Sequence, residues 1–240
     1  MNWRRRVKGL ARRCGVDIVR FRPETSASAQ VLAVLRHLGI DLVLDVGANT
    51  GQYGQGLREA GYRGCIVSFE PLSAAHAELQ RNAGGDPQWT VHPRCAIGDH
   101  DGEIEIHIAG NSVSSSVLPM LERHADAAPE SRYVGSETVP LMRLDSLAGA
   151  YLPDARGVFL KIDTQGFEAA VLAGASEVLA RCRAVQLELS LVPLYEGQQL
   201  WQHFLGEFRA KGFELWALLP GFVDVESGRT LQTDAIFVRP

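Results

Sequence analysis

The segment LDVGANTG, residues 44–51, decides how this chain of 240 residues folds. A short apolar run over residues 40–46 ends at Gly47, and a helical pattern follows over residues 52–60. A buried strand that turns through glycine into a helix is typical of a parallel βαβ unit. Ligands bind at the carboxyl ends of the strands in such sheets, so we expect a ligand site at this turn.

The same alternation of strand and helix continues through most of the chain. Strands are predicted over residues 64–69, 88–91, 137–144, 157–162, 184–189, 213–219 and 235–238, and helices over residues 73–82, 167–178 and 199–211. Isoleucines at every second position of residues 104–108 indicate a half-exposed strand, which we expect to form an inserted β-hairpin with residues 96–98. The predicted fold class is therefore α/β, with a mostly parallel seven-stranded sheet, a terminal antiparallel hairpin and the inserted β-hairpin.

Composition and length indicate one globular domain. Hydrophobic residues make up 46% of the chain and charged residues 22%, which is typical of a folded globular protein. The apolar runs are much shorter than a membrane-spanning helix, and no apolar core of a signal peptide follows the basic start. We expect a single domain over residues 26–240, a basic segment over residues 1–25 and a cytoplasmic location.

The charge of the chain is unevenly divided. Residues 1–22 contain eight basic residues and one acidic residue, whereas the rest of the chain has a net charge of −11. An acidic body argues against nucleic-acid binding, which needs a basic face. Trp3, Val7, Leu10 and Cys14 share one face of a predicted helix. This helix either packs on the domain, serves a homodimer interface, or makes peripheral contact with an anionic membrane through residues 3–22.

The residues of the glycine turn favour a nucleotide-like ligand that carries a positive charge. Asp45 places a carboxylate beside Gly47, Asn49 and Gly51, and Glu70 ends the second predicted strand. A carboxylate there can accept hydrogen bonds from both hydroxyls of a ribose. The dinucleotide fingerprint Gly-x-Gly-x-x-Gly and the P-loop pattern are absent from the sequence. Because Asp45 would repel a pyrophosphate and attract an amino group, the turn favours S-adenosylmethionine over NAD; the alternative is a purely structural glycine turn.

A third candidate contact follows the third predicted strand, in the stretch AIGD at residues 96–99. Asp99 could accept a hydrogen bond from the amino group of an adenine. The alternative is that Asp99 only begins the turn that continues with Asp101 and Gly102, because aspartate and glycine are common turn residues.

Five segments together resemble the FkbM-type methyltransferases, from about residue 30 to the end of the chain. They are DVGANTG at residues 45–51, FEP at 69–71, AIGD at 96–99, LKIDTQGFE at 160–168 and LELS at 187–190. The resemblance implies a class I methyltransferase (Rossmann-like) fold and S-adenosylmethionine as the methyl donor. It also implies O-methylation of a hydroxyl group on a sugar, a glycolipid or a natural product.

Two acidic residues are candidate catalytic groups because they end neighbouring predicted strands. Asp163 follows the strand over residues 157–162, and Glu188 lies near the end of the next strand. A carboxylate there can take the proton of an acceptor hydroxyl directly. Alternatively, Asp163 and Glu188 together hold Mg²⁺, which lowers the pKa of that hydroxyl. Lys161 is expected to form an ion pair with one of these two carboxylates.

Other candidates belong to the region expected to receive the acceptor. The polar segment 109–135 predicts a loop that covers the site, and His124, which lies in this loop, is the histidine of the chain best placed for a role there. Tyr195 and Trp201 could form a stacking wall for a sugar ring; the alternative for Trp201 is packing on a helix face. Two other functions stay open: a NAD-type oxidoreductase or epimerase with a variant glycine loop, and a protein that binds the cofactor without catalysis.

Overall fold

The computed structural model describes residues 3–240, without the side chains of residues 4–6, and has the predicted alternation of helices and strands. The helices are α1 (Trp3–Arg13), α2 (Ala27–His37), α3 (Gln52–Ala60), α4 (Ser73–Ala83), α5 (Glu122–Ala127), α6 (Leu144–Tyr151), α7 (Glu168–Ala173), α8 (Ser176–Arg181) and α9 (Trp201–Ala210). The strands are β1 (Leu42–Val46), β2 (Cys65–Phe69), β3 (Trp89–Val91), β4 (Ala96–Ile97), β5 (Gly102–Ala109), β6 (Tyr133–Met142), β7 (Val158–Ile162), β8 (Cys182–Ser190), β9 (Glu214–Pro220) and β10 (Gln232–Val238).

The large sheet has seven strands in the order β3-β2-β1-β7-β8-β10-β9. β10 runs antiparallel to β8 and β9, and the other neighbours are parallel. The prediction of a class I methyltransferase (Rossmann-like) sheet with a terminal antiparallel hairpin is therefore confirmed. The carboxyl ends of β1, β2 and β7 meet at one edge, where open sheets of this kind bind ligands.

Helices cover both faces of the large sheet because its central strands are apolar on both sides. Every residue of β1 and β7 is buried. On one face α2, α3 and α4 contribute Leu35, Leu57 and Leu79 to a single core cluster. On the other face α6, α7, α8 and α9 form a second cluster that includes Val171 and Phe204. These two layers hold the strand ends, and with them the candidate site, in a fixed framework.

A second sheet, of three strands in the order β4-β6-β5, is inserted before α6. β5 and β6 form the inserted hairpin, whereas β4 pairs with β6 in parallel. The expected pairing of residues 96–98 with residues 104–108 is therefore wrong, since β6 lies between them. Asp101, in the turn that was expected to close that hairpin, instead accepts a hydrogen bond from the amide of Arg143 at 2.7 Å. The turn is thus bound to the start of α6.

The helical pattern over residues 167–178 forms two short helices, α7 and α8, instead of one. Gly174 separates them, and a Cβ atom there would lie 1.8 Å from the carbonyl oxygen of Gly98. The helix therefore breaks where the chain passes directly against the backbone that follows β4.

The predicted N-terminal helix is present as α1, and its described side chains are mostly exposed. Val7 is 44% exposed and Leu10 is 66% exposed. Residues 14–25, which follow, are exposed as well, so the expectation of a helix packed on the domain is not met. Residues 1 and 2 of the predicted basic segment lie outside the described residues. Within residues 3–240, no helix is long and apolar enough to cross a membrane.

Gly47 lies where the backbones that follow the parallel strands β1 and β7 come into direct contact. It has a φ of +76°, and a Cβ atom there would lie 1.8 Å from the carbonyl oxygen of Asp163. We therefore expect Gly47→Ala to lower the free energy of unfolding by about 3 kcal/mol or more, since backbone strain and a steric clash add together.

The matched control for this substitution is Gly56→Ala, in the middle of α3. No atom lies within 4 Å of the position its Cβ would take. Alanine there should raise the free energy of unfolding by about 0.5–1 kcal/mol, because glycine is unfavourable inside a helix. Urea unfolding of both variants checks the pair, and equal stabilities would contradict the close contact at Gly47.

Candidate active site

A cavity of about 280 Å³ opens at the carboxyl ends of β1, β2 and β7. Ile97, Ile106 and Val117, from β4, β5 and the loop after β5, form part of its apolar lining. The polar part of the lining includes Tyr53, Lys161, Asp163, Gln186 and Asp234. The cavity therefore offers an apolar surface for a ring and a polar, mainly acidic surface for a charged or hydroxylated group.

The glycine turn after β1 fits closely against neighbouring protein atoms. Gly47, Asn49 and Gly51 all have positive φ values, of +76°, +47° and +93°. A Cβ atom on Gly51 would lie 3.2 Å from the ring of Trp89, and one on Gly54 would lie 2.3 Å from it. These glycines therefore make room for the protein itself, while Gly47 and Asn49 line the cavity.

Glu70 connects the end of β2 to this turn and is buried. Its carboxylate accepts hydrogen bonds from the backbone amides of Asn49, at 2.8 Å, and Leu72, at 2.9 Å. Burial raises the pKa of Glu70 to about 7, and the two amides oppose that shift. Each carboxylate oxygen keeps a further lone pair, and Glu70 lines the cavity, as its predicted role toward a ribose requires.

Asp45 lies beneath the turn and is completely buried. The Nζ atom of Lys161 is 3.2 Å from its Oδ1, and the hydroxyl of Ser68 donates to its Oδ2 at 3.2 Å. Lys161 also donates to the carbonyl oxygen of Gly47 at 3.0 Å. Asp45 therefore fixes Lys161 and the turn, and its predicted contact with a ligand amino group stays a prediction.

Lys161 is the positive charge at the centre of the polar lining. Burial opposes its charge, but Asp45 and Asp163 outweigh this effect and raise the pKa of Lys161 above its ordinary value. Its Nζ lies 3.6 Å from Oδ2 of Asp163. The sequence predicted Asp163 or Glu188 as the partner of Lys161. Asp163 does lie near Lys161, but Asp45, which was not predicted as a partner, is nearer.

Gln165 joins the two predicted catalytic residues. Its Nε2 donates to Oδ1 of Asp163 at 2.8 Å and to Oε2 of Glu188 at 2.7 Å. Its Oε1 accepts from the hydroxyl of Tyr195 at 2.8 Å. Asp163 lines the cavity, with its side chain 34% exposed, but Glu188 lies behind the amide and does not line it. The two carboxylates therefore come close together, but they do not face one acceptor hydroxyl side by side.

This arrangement does not support the predicted Mg²⁺ site at Asp163 and Glu188. Within residues 3–240, no three His, Cys, Asp or Glu side chains come together in a way that could hold a metal ion. The amide of Gln165 lies between the two carboxylates, and the ammonium of Lys161 is beside one of them. Burial, together with the charge of Asp163, raises the pKa of Glu188 well above its ordinary value, which disfavours the ionised ligand that Mg²⁺ needs.

Asp234 is an acidic residue of the cavity that the sequence interpretation missed. It lies on β10, directly opposite Glu188 in the antiparallel register. Burial raises the pKa of Asp234 to about 6, the charge of Asp163 adds to the shift, and Lys161 opposes it. An acid directly before the apolar run over residues 235–238 was the available signal, but only the strand register places it at the site.

Tyr53 and Gln186 also belong to the polar lining, and neither was predicted. The hydroxyl of Tyr53 donates to Oε1 of Gln186 at 2.8 Å. Tyr53 lies in the first turn of α3 and Gln186 in the middle of β8, so the contact spans 133 positions in sequence. The sequence carries no local signal for a contact of this kind.

Glu168 explains the shape of the turn between β7 and α7. Its Oε1 accepts hydrogen bonds from the amides of Thr164, at 3.1 Å, and Gly166, at 3.0 Å. Gln165 in this turn has a φ of +53°, an uncommon value for a residue with a side chain. The buried carboxylate thus holds the turn that places Asp163 and Gln165 at the cavity.

Asp99 lies outside the cavity. Its side chain is 52% exposed, and its Oδ1 is 2.7 Å from Nδ1 of His100. Cys95, Ala96 and Ile97 line the cavity in its place. The structure therefore favours the turn interpretation of Asp99 over the predicted contact with adenine.

The loop after β5 covers the cavity, as the sequence predicts. Ser112, Val113 and residues 115–117 line it. The Nδ2 atom of Asn49 donates to the hydroxyl of Ser112 at 3.3 Å, which connects this loop to the glycine turn.

The predicted stacking wall is wrong. Tyr195 is buried, and its hydroxyl is bound to Gln165; Trp201 packs against the core on the face that carries α9. His124 is also buried, with its ring 5.1 Å from that of Tyr195 and 5.4 Å from that of Phe222. The hydroxyl of Tyr195 is also 3.2 Å from the carbonyl oxygen of Ser114 in the covering loop, and Tyr195, Trp201 and His124 do not line the cavity.

Residues 45–215, which contain the glycine turn, Glu70 and the β7–α7 turn, match the model of the methyltransferase FkbM domain. The chain belongs to the FkbM methyltransferase family. The match covers more than half of the chain and confirms the resemblance seen in the sequence motifs.

Relatives with a known name or structure include several other methyltransferases. The 2-O-methyltransferase NoeI of Sinorhizobium fredii is 28% identical over 166 residues, which cover 65% of this chain and 66% of NoeI. The magnesium protoporphyrin IX methyltransferase of Synechocystis, solved with bound S-adenosylmethionine, has a TM-score of 0.46 and 15% identity over 91% of this chain and 80% of its own. Fibrillarin of Aeropyrum pernix has a TM-score of 0.47 and 10% identity over 87% of this chain and 74% of its own.

The buried imidazole of His124 should make the fold sensitive to acid. Its Nδ1 has no hydrogen-bond partner, and burial lowers the pKa of His124 to about 4. In the unfolded chain a histidine has a pKa near 6.5, so protons bind the unfolded state first as the pH falls. We expect this residue to remove about 2 kcal/mol of stability between pH 7 and pH 5.

The comparison with His124→Phe isolates this contribution, since phenylalanine keeps the ring but cannot take a proton. Urea unfolding at pH 7 and pH 5 should show that the free energy of unfolding of the variant rises relative to that of the unmodified protein as the pH falls. A constant difference between the two proteins would contradict a neutral, buried His124.

Proposed function

We propose that the protein transfers a methyl group from S-adenosylmethionine to a hydroxyl oxygen of a sugar, a glycolipid or a natural product. The observation that carries this proposal is the placement of Glu70 and Asp163 on one cavity, beside the glycine turn. Glu70 offers hydrogen-bond acceptors for the hydroxyls of a ribose. Asp163 offers a carboxylate that can take the proton of the hydroxyl to be methylated.

The charge of the cavity supports a cationic donor over a dinucleotide. Among the described residues that line it, Lys161 is the one cationic side chain, and its charge is engaged by Asp45 and Asp163. Glu70, Asp163 and Asp234 are the acidic ones. Such a lining suits the sulfonium and amino groups of S-adenosylmethionine and disfavours the pyrophosphate of NAD. The oxidoreductase or epimerase alternative is therefore the weaker one.

When bound, the donor supplies an electrophilic methyl group, and the protein must align an oxygen with it. Asp163 is held by the amide of Gln165 and the ammonium of Lys161, so its position is fixed before a substrate arrives. We propose that it accepts a hydrogen bond from the acceptor hydroxyl and helps to remove its proton. Asp234, with a pKa near 6, is a better-matched base than an ordinary aspartate and is the second candidate for that proton.

Two observations bear on the acceptor. The relative NoeI is named as a 2-O-methyltransferase, which supports an oxygen as the methylated atom. The acidic lining of the cavity disfavours anionic acceptors, because carboxylates or phosphates would be repelled by Asp163 and Asp234. We therefore propose a neutral hydroxylated acceptor.

Transfer of labelled methyl groups tests the proposal as a whole. The protein is mixed with labelled S-adenosylmethionine and a panel of neutral sugars, glycolipids and polyketides, and mass spectrometry locates the added methyl group. Binding of NAD is measured in parallel. Tight binding of S-adenosylmethionine without transfer to any hydroxyl would favour the non-catalytic alternative, and binding of NAD alone would favour the oxidoreductase.

Removal of Glu70 should weaken donor binding. Glu70→Ala is expected to raise the dissociation constant of S-adenosylmethionine at least tenfold, roughly the loss of one pair of charge-assisted hydrogen bonds. Isothermal titration calorimetry measures it, with the exposed Glu59→Ala as the matched control. An unchanged affinity in Glu70→Ala would remove this residue from the donor site.

The pH dependence of donor binding should also depend on Glu70. At a pH below the pKa of Glu70, about 7, this carboxyl carries a proton in the free protein. That proton must leave before the carboxylate can accept hydrogen bonds from both ribose hydroxyls. Affinity should therefore fall by up to about tenfold for each pH unit below 7, and Glu70→Gln should abolish that slope.

Replacement of Asp163 should affect the chemical step more than binding. Asp163→Asn is expected to lower turnover by at least about 100-fold, with donor affinity within a few-fold of normal, as for a group that acts in the transition state. The exposed Asp154→Asn is the matched control. If Asp163→Asn keeps normal turnover while Asp234→Asn loses it, the base is Asp234 and the assignment to Asp163 is wrong.

A further inference from the structure

The N-terminal segment, residues 3–22, exposes an apolar surface next to many positive charges. In α1, Val7 and Leu10 lie three positions apart, share one helix face and are exposed. The chain after the helix adds four apolar residues that are 47–60% exposed, namely Val16, Ile18, Val19 and Phe21. Apolar side chains grouped in this way are unusual on a surface that only meets water.

The charge of the segment indicates which kind of partner covers this surface. Residues 1–22 carry eight basic residues and one acidic residue, Asp17. The side chain of Asp17 is paired with Arg12 at 3.0 Å, so the single acidic group of the segment is neutralised within it. Lys8 lies on α1 away from the face of Val7 and Leu10, and Arg13 lies at the border of that face, three positions after Leu10.

A helix with an apolar face and a cationic face, followed by exposed apolar residues next to Arg20 and Arg22, has the character of a segment that lies in a membrane interface. The apolar side chains enter the acyl boundary, and the long basic side chains reach the anionic headgroups. A protein partner would need an apolar groove rimmed by acidic residues, whereas an anionic bilayer offers both properties everywhere on its surface.

We propose that residues 3–22 bind the surface of anionic lipid bilayers and hold the acidic domain beside the membrane. The rest of the chain has a net charge of −11, so the domain itself is repelled by such a surface. Attachment therefore depends on this segment. The inference does not rest on the proposed methyltransferase function, because lipid binding is measured without donor or acceptor.

Sedimentation with vesicles tests this proposal on the full chain. One set of vesicles contains phosphatidylcholine alone, and the other contains phosphatidylcholine with one third phosphatidylglycerol. We expect the protein to sediment with the anionic vesicles only, and its partition coefficient to fall several-fold when salt is raised to about 0.5 M.

Paired variants separate the apolar contribution from the cationic one. Val7→Asp with Leu10→Asp should lower the partition coefficient at least tenfold, while Val134→Asp with Val225→Asp, at two other exposed valines, should leave it unchanged. Lys8→Glu with Arg13→Glu should also lower it at least tenfold, compared with Arg123→Glu and Arg209→Glu at exposed positions elsewhere. Circular dichroism and thermal midpoints, which should not change at exposed positions, check that each variant is folded.

Three outcomes would overturn the proposal. The first is equal sedimentation with neutral and anionic vesicles, or none with either. The second is unchanged binding in the folded Val7→Asp, Leu10→Asp variant. The third is a dimer in solution that this variant dissociates while lipid binding is absent, which would make the same surface an interface between two copies of the chain.

Discussion

The contact between the backbones of Gly47 and Asp163 is the constraint on which the rest of the site depends. β1 and β7 lie side by side, and the amide of Asp163 donates to the carbonyl oxygen of Val46 at 3.1 Å. A Cβ atom at position 47 would not fit against the backbone of Asp163. The turn before α3 and the turn before α7 therefore begin in direct contact with each other. Lys161 then binds the carbonyl oxygen of Gly47 at 3.0 Å, which fixes both turns relative to each other.

Around this contact, one ammonium group organises several carboxyl groups. Lys161 lies close to Asp45 and Asp163, and its charge compensates for only part of the acidic surroundings. Burial favours the protonated forms of Glu188 and Asp234, so the pKa values of both are raised. The neutral amide of Gln165 and these raised pKa values allow an acidic cavity to exist without strong repulsion between its walls.

The side of the cavity that the glycine turn forms could be predicted from sequence because its signals are local. Gly47, Asn49 and Gly51 form one continuous turn, and Glu70 follows directly after an apolar strand. The order of strands and helices was readable for the same reason, since each apolar run is short and bounded by turn residues. Asp99 misled the interpretation because aspartate next to glycine serves a turn and a ligand contact equally well.

The other side of the cavity could not be predicted, because it depends on how distant segments are brought together. Asp234 reaches the site only through the antiparallel register of β10 against β8. Gln165 lies between Asp163 and Glu188 because a turn with a φ of +53° directs it there. Strand register and individual side-chain rotamers leave no periodic pattern in a single sequence. The sequence motifs therefore identified Asp163 and Glu188 as candidates but could not show how the two side chains are arranged.

The indole ring of Trp89 links the glycine turn to the edge of the sheet. It occupies the space that side chains at positions 51 and 54 would need, and its Nε1 donates to the hydroxyl of Ser68 at 3.0 Å. A residue larger than glycine at position 54 therefore fits only where position 89 has become smaller. Among related chains these two positions should evolve as a pair, although they lie 35 positions apart in the sequence.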